Sequence, residues 1–398
     1  MAAGAHSPMS VHEPIKKTEN LKSRFREIYS QEPCVYRAPG RVNLIGEHTD
    51  YNDGFVFPVA IDLFTWVAIA KRDDKGIHVH SENFSEAIEF ELDGAREREL
   101  PGWGRYVFGV ALMLERDGQR LSGANMLIRG EVPIGAGVSS SAAVEVATGF
   151  ALLANSRLAM DGRKLARICQ RAENEVVGAR TGIMDQLASA CCVAGRALLL
   201  DCRSLEFRTL PLPQGIRLVI CNTMVKRELA SSAYNTRRAE CEEGVRILAQ
   251  RYTGVGALRD ATMEQLESCR DTMPDNVVRR CRHVITEDLR VLQAADALEH
   301  HRLAELANAM AESHRSLRDD YEVSCAELDL LVELANKQRG VHGARMTGAG
   351  FGGCTINLVE ADAVDAFRDH VSAGYKQKTG IKPDIYVCDA ADGVKRVD

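Results

Sequence analysis

The sequence has 398 residues, more than one hydrophobic core usually supports, so two domains are expected. Hydrophobic residues make up 45% of it and charged residues 27%, as in ordinary globular proteins. The net charge of −6 disfavours nucleic acid as the main partner. The sequence shows neither an apolar segment of signal-peptide length at its start nor a run near the roughly 20 apolar residues of a membrane helix.

Twelve cysteines are spread from Cys34 to Cys388 without a CxxC pair or a His/Cys cluster. This spacing is typical of reduced thiols rather than of a disulfide framework or a zinc site. We therefore expect a cytoplasmic protein with no membrane and no nucleic-acid partner. A monomer is expected, with a dimer as the alternative.

The first part of the chain predicts a helix, a polar segment and then strands. The first twenty residues are polar and are expected to lack regular structure, whereas Leu21, Phe25 and Ile28 mark an amphipathic helix over 18–29. β-Branched and aromatic residues predict strands over 55–61, 64–70 and 77–80. Helical spacing resumes over 103–114. There Trp103 either stacks on a nucleotide base or lies in the core.

The polar segment between the first helix and the strands concentrates charged side chains. It holds Arg41, Asn43, Glu47, His48 and Asp50 within ten residues. Such a cluster is expensive to bury without a ligand or mutual pairing. Binding of a sugar or another polar substrate is the interpretation we favour, and structural pairing is the main alternative. A metal site is a further alternative, although no second pair of ligands follows at the usual spacing.

A glycine and serine loop separates a predicted strand over 126–132 from a predicted buried helix. Gly135 and Gly137 allow a tight turn, and Ser139, Ser140 and Ser141 stand at the helix start. Free N–H groups and the positive end of the helix dipole favour an anion there, such as a polyphosphate. The alternative is that a serine only caps the helix. The loop has neither the P-loop lysine nor the third glycine of a dinucleotide fingerprint.

The second part of the chain alternates helices and strands. Helices are predicted over 163–179, 187–192 and 276–320, and strands over 197–201 and 218–222. Because prolines break the chain between these two strands, we place a domain boundary near Glu206, which gives domains 1–206 and 207–398.

The end of the chain holds two further patterns. Residues 324–327 predict a capping box before a helix over 328–337. The glycine cluster over 343–353 contains GxGxxG, but a strand over 354–359 follows it. A Rossmann site needs a helix at that place, so we reject one.

Three stretches resemble motifs of one family. Residues 40–52, GRVNLIGEHTDYN, resemble the galactokinase signature. Residues 132–142, VPIGAGVSSSA, resemble the ATP motif of the galactokinase, homoserine, mevalonate and phosphomevalonate kinase (GHMP) superfamily, and residues 346–354, MTGAGFGGC, resemble its third motif. The similarity runs from about Tyr36 to the C-terminal strand. One departure is Ala136, where many galactokinases have glycine.

The resemblance implies an α+β fold of two domains with the active site between them. The N-terminal domain would have a mixed sheet of the ribosomal protein S5 domain 2-like type, and the C-terminal domain an antiparallel sheet with helices. The implied activity is ATP-dependent phosphorylation of the anomeric hydroxyl of galactose, giving galactose 1-phosphate and ADP. The alternatives are a kinase for N-acetylgalactosamine or another small alcohol, and a non-catalytic galactose and ATP sensor that binds a transcriptional regulator.

The resemblance also assigns site residues. ATP would be bound by Gly135, Gly137, Ser139, Ser140, Ser141, Trp103, Gly348 and Gly350, and Mg²⁺ by Ser141 and Glu173. Galactose would be bound by Arg41, Glu47, His48, Asp50, Gly182, Asp185 and Tyr234. Asp185 is the implied general base, orienting the hydroxyl and taking its proton late. Arg41 would lie beside it and stabilise charge on the transferring group.

Overall fold

A computed structural model describes residues 12–92, 100–225 and 230–398. Its helices are α1 (His12–Tyr29), α2 (Gly102–Arg116), α3 (Ser140–Asn155), α4 (Gly162–Ala172), α5 (Met184–Cys191), α6 (Ala230–Arg251), α7 (Met263–Ser268), α8 (Asp275–Glu299), α9 (Leu303–Asp319), α10 (Ala326–Asn336) and α11 (Val364–Thr379). Its strands are β1 (Cys34–Asn43), β2 (Phe55–Val56), β3 (Pro58–Lys71), β4 (Gly76–Ser81), β5 (Glu86–Glu91), β6 (Ala124–Gly130), β7 (Arg196–Asp201), β8 (Phe207–Pro211), β9 (Ile216–Asn222), β10 (Val341–Thr347), β11 (Cys354–Glu360), β12 (Asp384–Cys388) and β13 (Lys395–Arg396).

The described strands form three sheets. A six-stranded sheet has the order β13-β1-β3-β6-β4-β5, and it is mixed because β4 and β6 run parallel. A four-stranded antiparallel sheet has the order β10-β11-β9-β12, and a three-stranded one has the order β2-β7-β8. Helices pack on both larger sheets. The predicted α+β class, with a mixed sheet followed by an antiparallel one, is therefore confirmed.

Helix α3 carries the serines of the phosphate-loop candidate and lies in the core. Apolar residues on nearly all its sides, such as Val146, Ala147 and Leu152, are buried. The helix packs against β1 and β3 and also against α2, α4 and α5. The prediction of a buried helix is confirmed, and the burial fixes the position of its N-terminus against the sheet.

The two halves of the chain share a hydrophobic core. Val42 and Phe57 of the N-terminal half pack in one cluster with Leu218, Val291 and Ile356 of the C-terminal half. Two strand pairings also connect the halves: β8 pairs with β7 on either side of Glu206, and β13 returns to pair with β1. The division into domains 1–206 and 207–398 stays a prediction.

Several local predictions need correction. Helix α1 begins at His12, so part of the segment that we expected to be irregular is helical. The two strands predicted over 55–61 and 64–70 are mostly one strand, β3, because the polar residue between them fits: Asp62 Oδ1 accepts the Asp389 backbone N–H at 3.0 Å. Strand β8 was missed. Its terminal Pro211 is tolerated because β8 lies at a sheet edge.

Two helix ends also differ from the prediction. The helix predicted over 163–179 ends at Ala172, and a π-helical turn follows over Glu173–Val177. The predicted capping box before α10 is wrong: the N-cap is Cys325, and Ser324 Oγ donates instead to Asp329 Oδ1 at 2.6 Å. The helix begins one residue later than the predicted box requires, so Cys325 rather than Ser324 occupies the cap position.

Two wider findings concern membranes and thiols. Within the described ranges, no helix is both long enough and apolar enough to cross a bilayer. All twelve cysteines fall in these ranges and all are free thiols, nine of them buried.

Candidate active site

Two adjoining cavities open between three segments. These are residues 40–52, here called the sugar-signature segment, the glycine and serine loop (residues 132–142), and residues 346–354, here called the third glycine motif. The nucleotide-side cavity, of about 620 Å³, is lined by Gly135, Gly137, Ser139, Ser140 and Ser141. The sugar-side cavity, of about 500 Å³, is lined by Glu47, His48, Asp50, Gly182, Tyr234 and Gly348. Both cavities are also lined by Arg41, Tyr106, Val177, Asp185 and Ala349. Ligands in the two cavities would therefore meet at Arg41 and Asp185.

The glycine and serine loop leaves the N-terminus of α3 available to a ligand. Gly135 and Gly137 have φ values of 74° and 85°, which favour glycine. Ser139 is the N-cap and is itself left-handed, and its side chain does not cap the helix. The alternative that this serine serves only as a cap is thus wrong. The first N–H groups of the helix keep their capacity to bind an anion.

Asp185 bonds residues of two motifs at the junction of the cavities. Its Oδ1 accepts from Arg41 Nε at 2.7 Å and lies 2.6 Å from Arg41 Nη2, while its Oδ2 accepts from Ser139 Oγ at 2.5 Å. Arg41 is buried and also donates from Nη1 to the Gly137 carbonyl at 2.9 Å. The carboxylate is thereby held in one orientation, facing the space between the cavities.

Asp50 and Gly182 form one wall of the sugar-side cavity. Burial and the nearby Asp185 raise the pKa of Asp50 to about 6, although Arg41 opposes this shift. Gly182 makes room for the carboxylate, because a Cβ atom at position 182 would lie 1.9 Å from Asp50 Oδ2. Tyr234 faces the same space, with its ring centroid 5.4 Å from that of His48.

We expect Gly182→Ala to weaken galactose binding between about fivefold and a hundredfold, because overpacking costs about 1–3 kcal/mol and here displaces Asp50. Isothermal titration calorimetry with galactose measures the change. The matched control is Gly254→Ala, since an added Cβ there meets no atom within 4 Å. Unchanged affinity in Gly182→Ala would show that the position of Asp50 does not govern binding.

Glu47 connects the sugar-signature segment to the third glycine motif. Its Oε1 accepts from Thr347 Oγ1 and from the Gly348 N–H, and its Oε2 accepts from Asn43 Nδ2. An ion pair of 2.7 Å joins Oε2 to Arg345 Nη1, and both side chains are fully buried. Burial raises the pKa of Glu47, which Arg345 opposes. Protein donors occupy all the acceptor positions of this carboxylate, so the structural pairing considered for the segment is realised here.

The outer end of the nucleotide-side cavity is aromatic and apolar. Trp103 stacks on Phe84 with ring centroids 5.9 Å apart and an interplanar angle of 7°, and its Nε1 donates to Glu86 Oε2. Ile134 lines the same cavity and is 63% exposed. Sequence reasoning missed both Phe84 and Ile134. Ile134 stands inside the ATP-like motif, but nothing in the sequence pairs Phe84 with Trp103.

Ser141 and Glu173, the residues assigned to a metal ion, lie close together, and the Ser141 hydroxyl opposes the rise in the pKa of Glu173. Glu173 also accepts from Thr181 Oγ1 at 2.8 Å and from Gln186 Nε2 at 2.7 Å. Burial and the negative charge of Asp185 raise the pKa of Glu173. A bound cation would stabilise the ionised carboxylate in this environment. A hydroxyl and a carboxylate suit Mg²⁺, which takes few protein oxygens beside substrate phosphates. In the described ranges no three His, Cys, Asp or Glu side chains group as a self-contained metal site.

Gly348 and Gly350 are the glycines of the third motif that the resemblance assigns to the nucleotide. Gly348 lines the sugar-side cavity, and Gly350 lines neither cavity. An added Cβ would lie 2.8 Å from the Gly137 carbonyl oxygen at Gly348 and 2.3 Å from the Val323 carbonyl oxygen at Gly350. Glycine is required at both positions because backbone segments approach closely. Binding of the nucleotide by these two residues stays a prediction.

Family models match three parts of the chain. Residues 23–71 match the galactokinase galactose-binding signature, residues 105–193 the N-terminal domain of GHMP kinases and residues 294–377 their C-terminal domain. A galactokinase of Roseiflexus sp. (strain RS-1) is 48% identical over 381 residues, covering 96% of this chain and 97% of the relative. The chain belongs to the galactokinase family. It is accordingly a kinase of the GHMP superfamily, whose members use ATP.

Further galactokinases agree with this membership. That of Chloroflexus aggregans is 47% identical over 378 residues, covering 95% of this chain and 97% of the relative. The crystal structure of Lactococcus lactis galactokinase complexed with galactose superposes with a TM-score of 0.91 at 37% identity, over 96% of this chain and all of that one. A mevalonate kinase structure, at 17% identity and a TM-score of 0.63, shares the fold. The family and fold predicted from the motifs are confirmed.

Proposed function

We propose that the chain transfers the terminal phosphoryl group of ATP to the anomeric hydroxyl of galactose, giving galactose 1-phosphate and ADP. The observation that carries this proposal is the pair of cavities that meet at Asp185 and Arg41. A nucleotide in one cavity and a hexose in the other would bring the terminal phosphate against a sugar hydroxyl at that junction. Membership of the galactokinase family and the galactose complex of the Lactococcus lactis enzyme support the choice of sugar.

Asp185 would orient the hydroxyl and accept its proton late, because phosphoryl transfer depends chiefly on positioning and charge neutralisation. The bonds from Arg41 and Ser139 fix its carboxylate, so one oxygen lone pair remains for the sugar. Arg41 would also stabilise charge on the phosphoryl group from the same position. No covalent enzyme intermediate is needed.

The phosphates of ATP would lie on the loop from Gly135 to Ser141, with the base near Trp103 at the aromatic end of the cavity. Ser141 and Glu173 would hold Mg²⁺. When bound, this ion would supply positive charge that offsets the charge of the phosphates. The free N–H groups at the start of α3 would add further positive potential where the phosphates lie.

Asp50, Gly182, Tyr234 and Arg41 would form the sugar site, and Glu47 and His48, whose polar side-chain atoms bond protein atoms, would support its wall. A site that pairs each hydroxyl rejects an epimer, because a misplaced hydroxyl leaves buried polar groups unpaired. Asp50 is suited to this task because its carboxylate is restricted by Gly182 on one side. We further propose that the protein is a cytoplasmic monomer. The twelve free thiols support the cytoplasmic location.

An ADP-release assay with a panel of sugars tests the proposal. We expect turnover with galactose and a kcat/KM at least on the order of a hundredfold lower with glucose, its epimer. N-Acetylgalactosamine in parallel separates galactokinase from the related kinase activity. Binding of galactose and ATP without release of ADP would instead favour the sensor alternative.

A further inference from the structure

Two histidines flank one tyrosine behind the sugar-side cavity. The Tyr321 ring lies between the rings of His48 and His283, with centroid separations of 4.6 and 4.5 Å. All three side chains are buried. His283 Nε2 donates to the Glu47 carbonyl at 3.1 Å, and His48 Nε2 lies 3.2 Å from the Ala349 carbonyl. Each histidine thus reaches a backbone carbonyl of a distant segment.

The contacts of His48 determine which of its nitrogens carries the proton. A carbonyl oxygen can only accept, so Nε2 carries hydrogen and donates to Ala349. Burial, helped by the adjacent His283 and Arg237, lowers the pKa of His48 to about 3 although the Ala349 bond and Glu287 oppose this shift, so the ring is neutral. In a neutral ring Nδ1 has no hydrogen. It therefore accepts from Tyr51 Oη, which lies 2.8 Å away.

The direction of the remaining hydrogen bonds follows from this tautomer. Because the Tyr51 hydroxyl donates its one hydrogen to His48, its oxygen must accept from the Tyr321 hydroxyl, 2.7 Å away. Tyr321 has then used its hydrogen, so its oxygen accepts from the Cys241 thiol at 3.1 Å. The hydrogen bonds therefore all donate in one direction. They run from Cys241 on α6 through Tyr321 and Tyr51 to His48, and from His48 to the Ala349 carbonyl.

Ala349 stands where the two cavities join. It lines both of them and lies between Gly348 and Gly350, which both have a φ of 85°. The next residue, Phe351, is held by its N–H, which donates to the Val323 carbonyl at 2.6 Å. The His48 bond fixes the Ala349 peptide, so it fixes the backbone against which a phosphate and a sugar would meet.

We propose that His48 and Tyr51 are positioning residues for phosphoryl transfer, and that they act through the Ala349 carbonyl. Hydrogen-bond donation from Cys241 to Tyr321, and onward to Tyr51, keeps the His48 ring in its Nε2–H form. His48 uses both ring nitrogens on protein atoms, so it shapes the site without bonding the sugar through its ring. The kinetic part of the inference rests on the proposed galactokinase reaction. The tautomer is independent of that reaction.

Nitrogen-15 NMR of histidine-labelled protein tests the tautomer directly. We expect His48 to show a protonated Nε2 and an unprotonated Nδ1 from pH 8 to pH 6, and we expect Tyr51→Phe to produce a mixture of tautomers. The same variant keeps the ring but loses the donor, so its kcat should fall about tenfold while the affinity for galactose changes less than about threefold. A protonated Nδ1 in the wild type, or a wild-type kcat in Tyr51→Phe, overturns the proposal.

The Cys241 end of this hydrogen-bond chain allows a test with two conservative variants. Cys241→Ala removes the donor to Tyr321, and we expect kcat to fall about two- to threefold because a thiol hydrogen bond is weak. Cys241→Ser keeps a donor and should restore the wild-type kcat and His48 spectrum. Tyr252→Phe, which removes a hydroxyl that is hydrogen-bonded to Ser268 Oγ, is the matched control and should change neither readout. Equal loss in Cys241→Ala and Cys241→Ser would contradict the donor role.

A wild-type protein that releases no ADP but shows the Nε2–H form would refute the proposed reaction alone.

Discussion

Asp185→Asn is expected to lower kcat roughly 10²- to 10⁴-fold, the usual contribution of a positioned general base. The variant keeps the geometry, because Arg41 can still donate to the amide oxygen and the Ser139 hydroxyl can accept from the amide nitrogen. What it loses is the charge and the proton acceptor at the junction of the cavities. ADP release at saturating galactose and ATP measures kcat, and calorimetry with each ligand should show affinities within about tenfold of the wild type.

A control variant at an acidic residue that lines neither cavity shows whether the loss of one negative charge by itself lowers kcat. Asp271→Asn alters an exposed carboxylate and should leave kcat and both affinities unchanged. If Asp185→Asn turned over galactose near the wild-type rate, Asp185 would have no part in the chemistry. The bonds to Arg41 and Ser139 would then serve only to hold the loop.

Removing one partner of the buried pair Glu47 and Arg345 is expected to lower the free energy of unfolding by about 3–5 kcal/mol, because an uncompensated charge then remains in the core. Arg345→Met also leaves the Asn43 and Leu44 carbonyls without this donor. Urea denaturation at pH 7 measures the change. Arg24→Met, which removes an exposed ion pair to Glu27, is the control and should have little effect.

The double variant Glu47→Gln with Arg345→Met distinguishes pairing from packing. It removes both charges, so it should lose less stability than the two single variants combined, and the cycle should give a coupling energy of about 1–3 kcal/mol. Additive losses would mean that the two side chains stabilise the fold independently. The result matters for function because this pair joins the sugar signature to the third glycine motif.

The motifs allowed the family, the fold class and most elements near the site to be predicted, because the relevant preferences are local. Glycine at 135 and 137 and a run of serines before an apolar helix describe a phosphate loop without reference to the rest of the chain. Local preference failed where a group outside the predicted pattern took part. Ser324 bonds Asp329 rather than capping α10, and Asp62 continues a strand because the Asp389 N–H meets it.

The sequence by itself determined which chemical groups this protein brings to its site: the glycines that permit left-handed turns, the serines of the loop, and the acidic and basic residues of the signature. Only the tertiary structure decided what those groups contact. Glu47 meets Arg345 nearly 300 positions away, Trp103 meets Phe84, and the proton of His48 is assigned by a carbonyl in another motif. The reason is physical: conformational preference depends on neighbouring residues in the chain, whereas hydrogen-bond partners and buried charges depend on which segments the packed core places side by side.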